Sequence, residues 1–108
     1  MRIVLCNTPP DHAERVARAL VDARLAACVN IIPGVTSIYR WQGKTERDAE
    51  CTLLIKVRAE SLVELMVAIR GLHPYDVPEI IALPIAAGDV NQEYLAWLYE
   101  VTSRKNEP

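Results

Sequence analysis

An α+β fold is predicted, with an antiparallel sheet and helices packed on one of its faces. Two observations predict it. Short β-branched segments and stretches with helical apolar spacing follow one another as strand, helix, strand, strand, helix, strand, helix. The two halves, about 2 to 41 and about 50 to 86, repeat one βαβ pattern without evident sequence identity. This is the split βαβ, or ferredoxin-like, arrangement, extended by a C-terminal helix. With 108 residues the chain reads as one domain, 1–108, whose last residues, about 104–108, form a frayed tail.

Residues 2–7 (RIVLCN) form the first strand, ended by Thr8-Pro9-Pro10. A helix follows, with Pro10 in its first turn and Asp11 and Glu14 favourable to its positive end. Ala13, Val16, Ala17, Leu20, Ala23 and Ala27 share its apolar side, and so many alanines imply close approach to the sheet. A long strand spans about 28–41, interrupted at Pro33-Gly34. Proline is tolerated at a sheet edge or a bulge, so this is one bent strand, or two short ones, at the edge. Gln42-Gly43-Lys44 opens a hairpin, and residues 50–57 (ECTLLIKV) return as a buried strand. The second helix covers 60–72, the fourth strand 78–86 and the last helix 91–103. Two helices on one side leave the other face of the sheet bare unless the last helix or another subunit covers it.

Composition narrows the function. The net charge of −2 offers no electrostatic footprint for nucleic acid or an anionic membrane. The longest apolar run is far short of a membrane span, and Met1 to Cys6 lacks the length and cleavage site of a signal peptide. Three cysteines, an odd number, do not suggest a disulfide framework, so a reducing, cytoplasmic location is expected. Half of the residues are apolar, which leaves surplus apolar surface for subunit association.

The chemistry concentrates in LHPYDVPEIIALPI, residues 72–85. Pro74 and Pro78 each fix their own φ and push His73 and Val77 out of helical geometry, so the connector is stiff and extended. It carries His73, Tyr75, Asp76 and Glu79. Metal is one reading: imidazole and thiolate both suit copper, and Cys28 and His73 are the candidate ligands, with Asp76 or Glu79 able to complete the set. The competing reading is structural. Cys6, Cys28 and Cys51 lie in separate strands as small hydrophobes, no CxxC or HxxxH pairs two ligands on one element, and a lone loop histidine is commonly a hydrogen-bonded group. A second constellation is Lys56, Tyr39, Trp41, Tyr75 and Glu79. Lys56 ends a strand otherwise written in Leu, Ile and Val, so it either pairs with Glu79 in a cleft or stands solvated at the strand end. No GxSxG, P-loop or Cys-His signature is present, and no cofactor is required.

Two segments resemble the CutA family of divalent-cation-tolerance proteins: LAACVNIIPGVTSIYRWQGK, residues 25–44, and LHPYDVPEIIALPI. LLIK at 53–56, Gly88 and YLAW at 94–97 complete a likeness running from about Ile3 to Val101. The resemblance implies a ferredoxin-like subunit in a compact PII-like homotrimer, in which long bent strands reach neighbouring subunits. It also implies a metal-binding or signalling role in tolerance to copper or another divalent cation. By analogy with PII-like trimers, a cleft between subunits lined by Tyr39, Trp41, Lys56, His73, Tyr75 and Glu79 is the expected place for a metal ion or a small anion. The alternative is a small-molecule sensor or an acylphosphatase-like enzyme using that cleft, the latter by fold analogy alone.

Overall fold

The computed structural model describes residues 1–104. Seven main elements follow the predicted order: β1 (Arg2–Thr8), α1 (Ala13–Asp22), β2 (Cys28–Trp41), β3 (Lys44–Val57), α2 (Leu62–Leu72), β4 (Ile81–Pro84) and α3 (Gln92–Val101). The strands form one sheet in the order β2-β3-β1-β4, every pair antiparallel. This is the ferredoxin-like topology.

Alternation along the strands sorts the two faces. Val4, Cys6 and Thr8 of β1 and Cys51, Leu53, Ile55 and Val57 of β3 are buried. They share one core with Ala13, Val16 and Leu20 of α1 and Leu65 and Ile69 of α2, apart from Thr8. Each large apolar side chain buried there contributes about 1.5–3 kcal/mol. Ile3 and Leu5 of β1 and Leu54 of β3 point to the opposite face and are half-buried. On that face Ile32, Ile81 and Leu83 remain 43%, 49% and 43% exposed. The predicted bare face is therefore real within one chain. The third helix buries Leu98, and its C-cap Thr102 is buried as well; its C-terminal end is tied by Arg58, which donates to Thr102 Oγ1, and by Arg24, which donates to the Ser103 carbonyl.

Several boundaries differ from expectation. The third strand starts at Lys44 rather than at residue 50. Its first residues, KTERDA, carry no apolar alternation; the ladder to β2 holds them in strand form, from Val35–Glu50 to Trp41–Lys44. A two-residue turn closes that ladder, with Gln42 and Gly43 at φ of 50° and 79°. The second strand stays continuous at the sheet edge and shifts register between Ile32 and Val35, where Gly34 takes φ of 73°. The fourth strand shrinks to four residues, Ile81–Pro84, all paired with β1, with Ile85 donating to the Met1 carbonyl just beyond. Both later helices are shorter than expected, and the first turn before α2 is a 3-10 turn, Ala59–Ser61. Asn91 caps α3, its side chain accepting from the Glu93 amide at 3.0 Å. Of the expected frayed tail, Arg104 bonds Glu64 at 2.8 Å and 105–108 lie outside the described residues.

Pairing of β1 with β3 stops at Thr8–Cys51, while the β2–β3 hairpin continues beyond it. The hairpin thus projects as an arm, and the chain measures 49 × 28 × 21 Å with a radius of gyration of 14.8 Å. A compact domain of this length has a radius of about 13 Å. The turn at the arm's tip is therefore a sensitive point. A Cβ on Gly43 would meet nothing within 4 Å, so Gly43→Ala isolates the cost of left-handed backbone. Urea denaturation at fixed protein concentration should show a loss of about 1–2 kcal/mol with an unchanged slope.

Candidate functional site: a cavity at the foot of the hairpin arm

The second helix ends because Pro74 forces His73 into extended geometry, with φ of −82° and ψ of 138°. His73 is 8% exposed, and both ring nitrogens have backbone partners. Nε2 donates to the Asn7 carbonyl at 2.7 Å, and Nδ1 accepts from the Tyr75 amide at 3.1 Å. The Tyr75 amide can only donate, so the hydrogen sits on Nε2. The imidazole also packs against the Tyr75 ring, with centroids 4.8 Å apart. Thus positioned, the Tyr75 hydroxyl crosses to the arm and donates to Glu50 Oε2 at 2.9 Å. Further out along the arm, the Tyr39 hydroxyl donates to Asp48.

Between loop and arm lies a cavity of about 670 Å³, walled in part by Tyr39, Trp41, Glu50, Tyr75, Asp76 and Glu79. Four of the six residues expected to line a cleft meet there: Tyr39, Trp41, Tyr75 and Glu79. His73 stands behind Tyr75 as its support. Lys56 is elsewhere. Its ammonium donates to Asn30 and lies 3.9 Å from Cys28 Sγ. It sits opposite Ile3, whereas the cavity borders Asn7, four positions along β1 or roughly 13 Å away. Within the chain, Lys56 and Glu79 therefore do not pair.

The same spacing separates the two candidate metal ligands. Cys28 pairs with Lys56 in the ladder, and His73 binds Asn7. Among the described residues no three His, Cys, Asp or Glu side chains gather to hold a metal ion. Cys6 and Cys51 are buried. The Cys6 thiol is pushed up to about 12 by burial, then by the negative charges of Glu79 and Glu50, so it stays protonated at neutral pH. The sequence singles out Asp76 only as a possible member of a ligand set, and it singles out neither Glu50, which lines the cavity, nor Asp48, which bonds Tyr39. The available signal was an acid opening the apolar run ECTLLIKV.

The comparisons with known proteins agree with one another. The model of the CutA1 divalent ion tolerance protein family matches residues 2–101. The chain belongs to the CutA family. It is 54% identical over 101 residues to the divalent-cation tolerance protein CutA of Thermus thermophilus, covering 93% of this chain and 96% of that protein. Human Protein CutA is 49% identical over 90 residues, which are 83% of this chain and 49% of that protein, so the chain spans about half the length of this relative. Among solved structures, the PII-like protein CutA from Nostoc in its apo form superposes with a TM-score of 0.90 at 40% identity, over 95% of this chain and 98% of that one. The Thermus thermophilus structure gives 0.88 at 51% identity, over 95% and 100%.

In this CutA-family chain the cavity's phenols have a defined titration behaviour. Tyr75 is pushed up to about 12 by burial and by its hydrogen bond to Glu50. Tyr39 is pushed up to about 12, chiefly by its hydrogen bond to Asp48. Both remain donors at neutral pH. An unfolded tyrosine titrates near 10, so the folded state holds its protons more tightly. The associated stability is complete below pH 10 and is lost as pH rises toward about 12. Phenolate absorbance should show Tyr39, Tyr75 and Tyr94, the last raised chiefly by burial, titrating late in the folded protein, and Tyr75→Phe should remove one of them.

Proposed function

We propose that this protein acts in divalent-cation tolerance as a cytoplasmic homotrimer with a binding or signalling role, and that the cavity beside the hairpin arm is its ligand site. One observation carries the reading: an aromatic and acidic cavity opens between the stiff loop and an arm that projects past its own sheet. Such an arm is placed to reach a neighbouring subunit, and the exposed Ile32, Ile81 and Leu83 supply apolar surface for that contact. The relative called PII-like supports the same assembly. An acylphosphatase-like reaction has no support in the cavity, whose walls present Glu50, Asp76 and Glu79 and no arginine to hold an acyl phosphate.

Copper or another divalent cation is the metal this reading assigns, with ligands combined from different subunits. Cys28 is the accessible thiol, half-buried beside Lys56. A metal on His73 would have to displace either the Tyr75 amide from Nδ1 or the Asn7 carbonyl from Nε2. Light scattering of the purified protein should give three times the 12.1 kDa chain mass; a single-chain mass would remove the reading. In a copper titration, Cys28→Ser should lower affinity at least roughly tenfold while His73→Ala leaves it unchanged at matched folding. Equal affinity in wild type and Cys28→Ser would exclude that thiol.

A further inference from the structure

We propose that the cavity takes an alkyl chain carrying primary ammonium groups, a diamine in chemical class, with one ammonium on Glu50. The inference rests on the cavity being a ligand site and adds the class of ligand.

Glu50 is the starting point. It is only 7% exposed, yet it borders the cavity. Its Oε2 accepts the Tyr75 hydroxyl, while Oε1 accepts no hydrogen bond from the described residues. Neither Lys, Arg nor His among the described residues forms an ion pair with it. This mostly buried carboxylate has no counter-charge among the described residues, and its free Oε1 still reaches solvent, so it can take a cation that also donates hydrogen bonds. The cavity walls reinforce that sign: Asp76 and Glu79 add two carboxylates, and among the described residues no lining residue is Lys or Arg. Even the tyrosine hydroxyls are turned away from a ligand, Tyr75 to Glu50 and Tyr39 to Asp48. An anion would enter a field of its own sign.

Size and lining separate an organic cation from a bare metal ion. A cation such as Ca²⁺ or Mg²⁺ takes six or more oxygens closely arranged, and no three acidic, His or Cys groups gather among the described residues. About 670 Å³ is the scale of a small organic ligand. Trp41, Tyr39 and Tyr75 supply aromatic surface for an alkyl body and for cation–π contact with its ammonium. A quaternary ammonium lacks the N–H groups that Oε1 can accept. The primary amine fits on both counts.

The test is calorimetric titration of the purified full chain with putrescine, against its neutral isostere 1,4-butanediol, tetramethylammonium, succinate and Cu²⁺. Putrescine should bind, butanediol should not, and tetramethylammonium should be weaker. Glu50→Gln, which keeps an acceptor for Tyr75, should reduce putrescine affinity at least roughly tenfold with unchanged circular dichroism and mass. Binding of succinate or Cu²⁺ at this cavity, lost on Trp41→Ala, with none of putrescine would overturn the ligand class while keeping the site. Binding of no probe would overturn the site itself. A Lys or Arg of a second copy seated on Glu50 in a crystal of the protein would also overturn the proposal.

Discussion

The hydrogen bond from His73 Nε2 to the Asn7 carbonyl joins the loop after α2 to the first strand, and the candidate site is built outward from that joint. Pro74 has already removed His73 from helical geometry, so the ring is delivered to β1 with little backbone freedom left. The same ring receives the Tyr75 amide on its other nitrogen. Tyr75 is thereby aimed at Glu50, which sits on the neighbouring strand at the base of the arm. A buried, doubly bonded imidazole is a stiff support. It is poorly arranged to give up a lone pair, which is why the residue with the most obvious metal chemistry in the sequence has a structural place in the fold.

A second constraint comes from the strand lengths. The paired β2 and β3 strands are each 14 residues long, whereas β1 has 7 and β4 has 4. Helices α1 and α2 cover one face of the region where all four strands run together. Beyond Thr8–Cys51 the hairpin has no third strand, and a two-stranded hairpin alone is marginal in water. Ile38 at 68% and Trp41 at 51% exposure lie on this unsupported part. The likeness to CutA proteins covers this arm together with the rest of the domain.

Much of the fold was legible in the sequence because its strands and helices announce themselves by period. Compact apolar runs mark RIVLCN and ECTLLIKV, helical spacing marks Val16, Leu20, Leu65 and Ile69, and Pro33-Gly34 marks the bend of an edge strand. The first half of β3 was not legible. Its residues face water on both sides, so no apolar rhythm exists and cross-strand pairing with β2 alone determines it. The cavity was half legible. Tyr39, Trp41, Tyr75 and Glu79 stood out as aromatics and an acid in two distinctive segments. Glu50 did not, because it becomes a cavity residue only when the hairpin register places it against Tyr75. Lys56 misled for a related reason: its polar partner, Asn30, lies across the ladder on β2, next to the side chain of Cys28.

The cavity and the arm are mechanically one object. Tyr39, Trp41 and Glu50 belong to the hairpin, and Tyr75, Asp76 and Glu79 to the proline-stiffened loop. Tyr75–Glu50 spans the two, so one hydrogen bond ties the arm to the loop across the cavity. Whatever fixes the arm also fixes the cavity, and whatever fills the cavity restrains the arm. Two binding events that draw on the same ordering cost assist one another, since the first to occur leaves less freedom for the second to remove. In the proposed assembly, subunit contacts along the arm and occupancy of the cavity would be linked in sign, each strengthening the other without moving the core beneath α1 and α2.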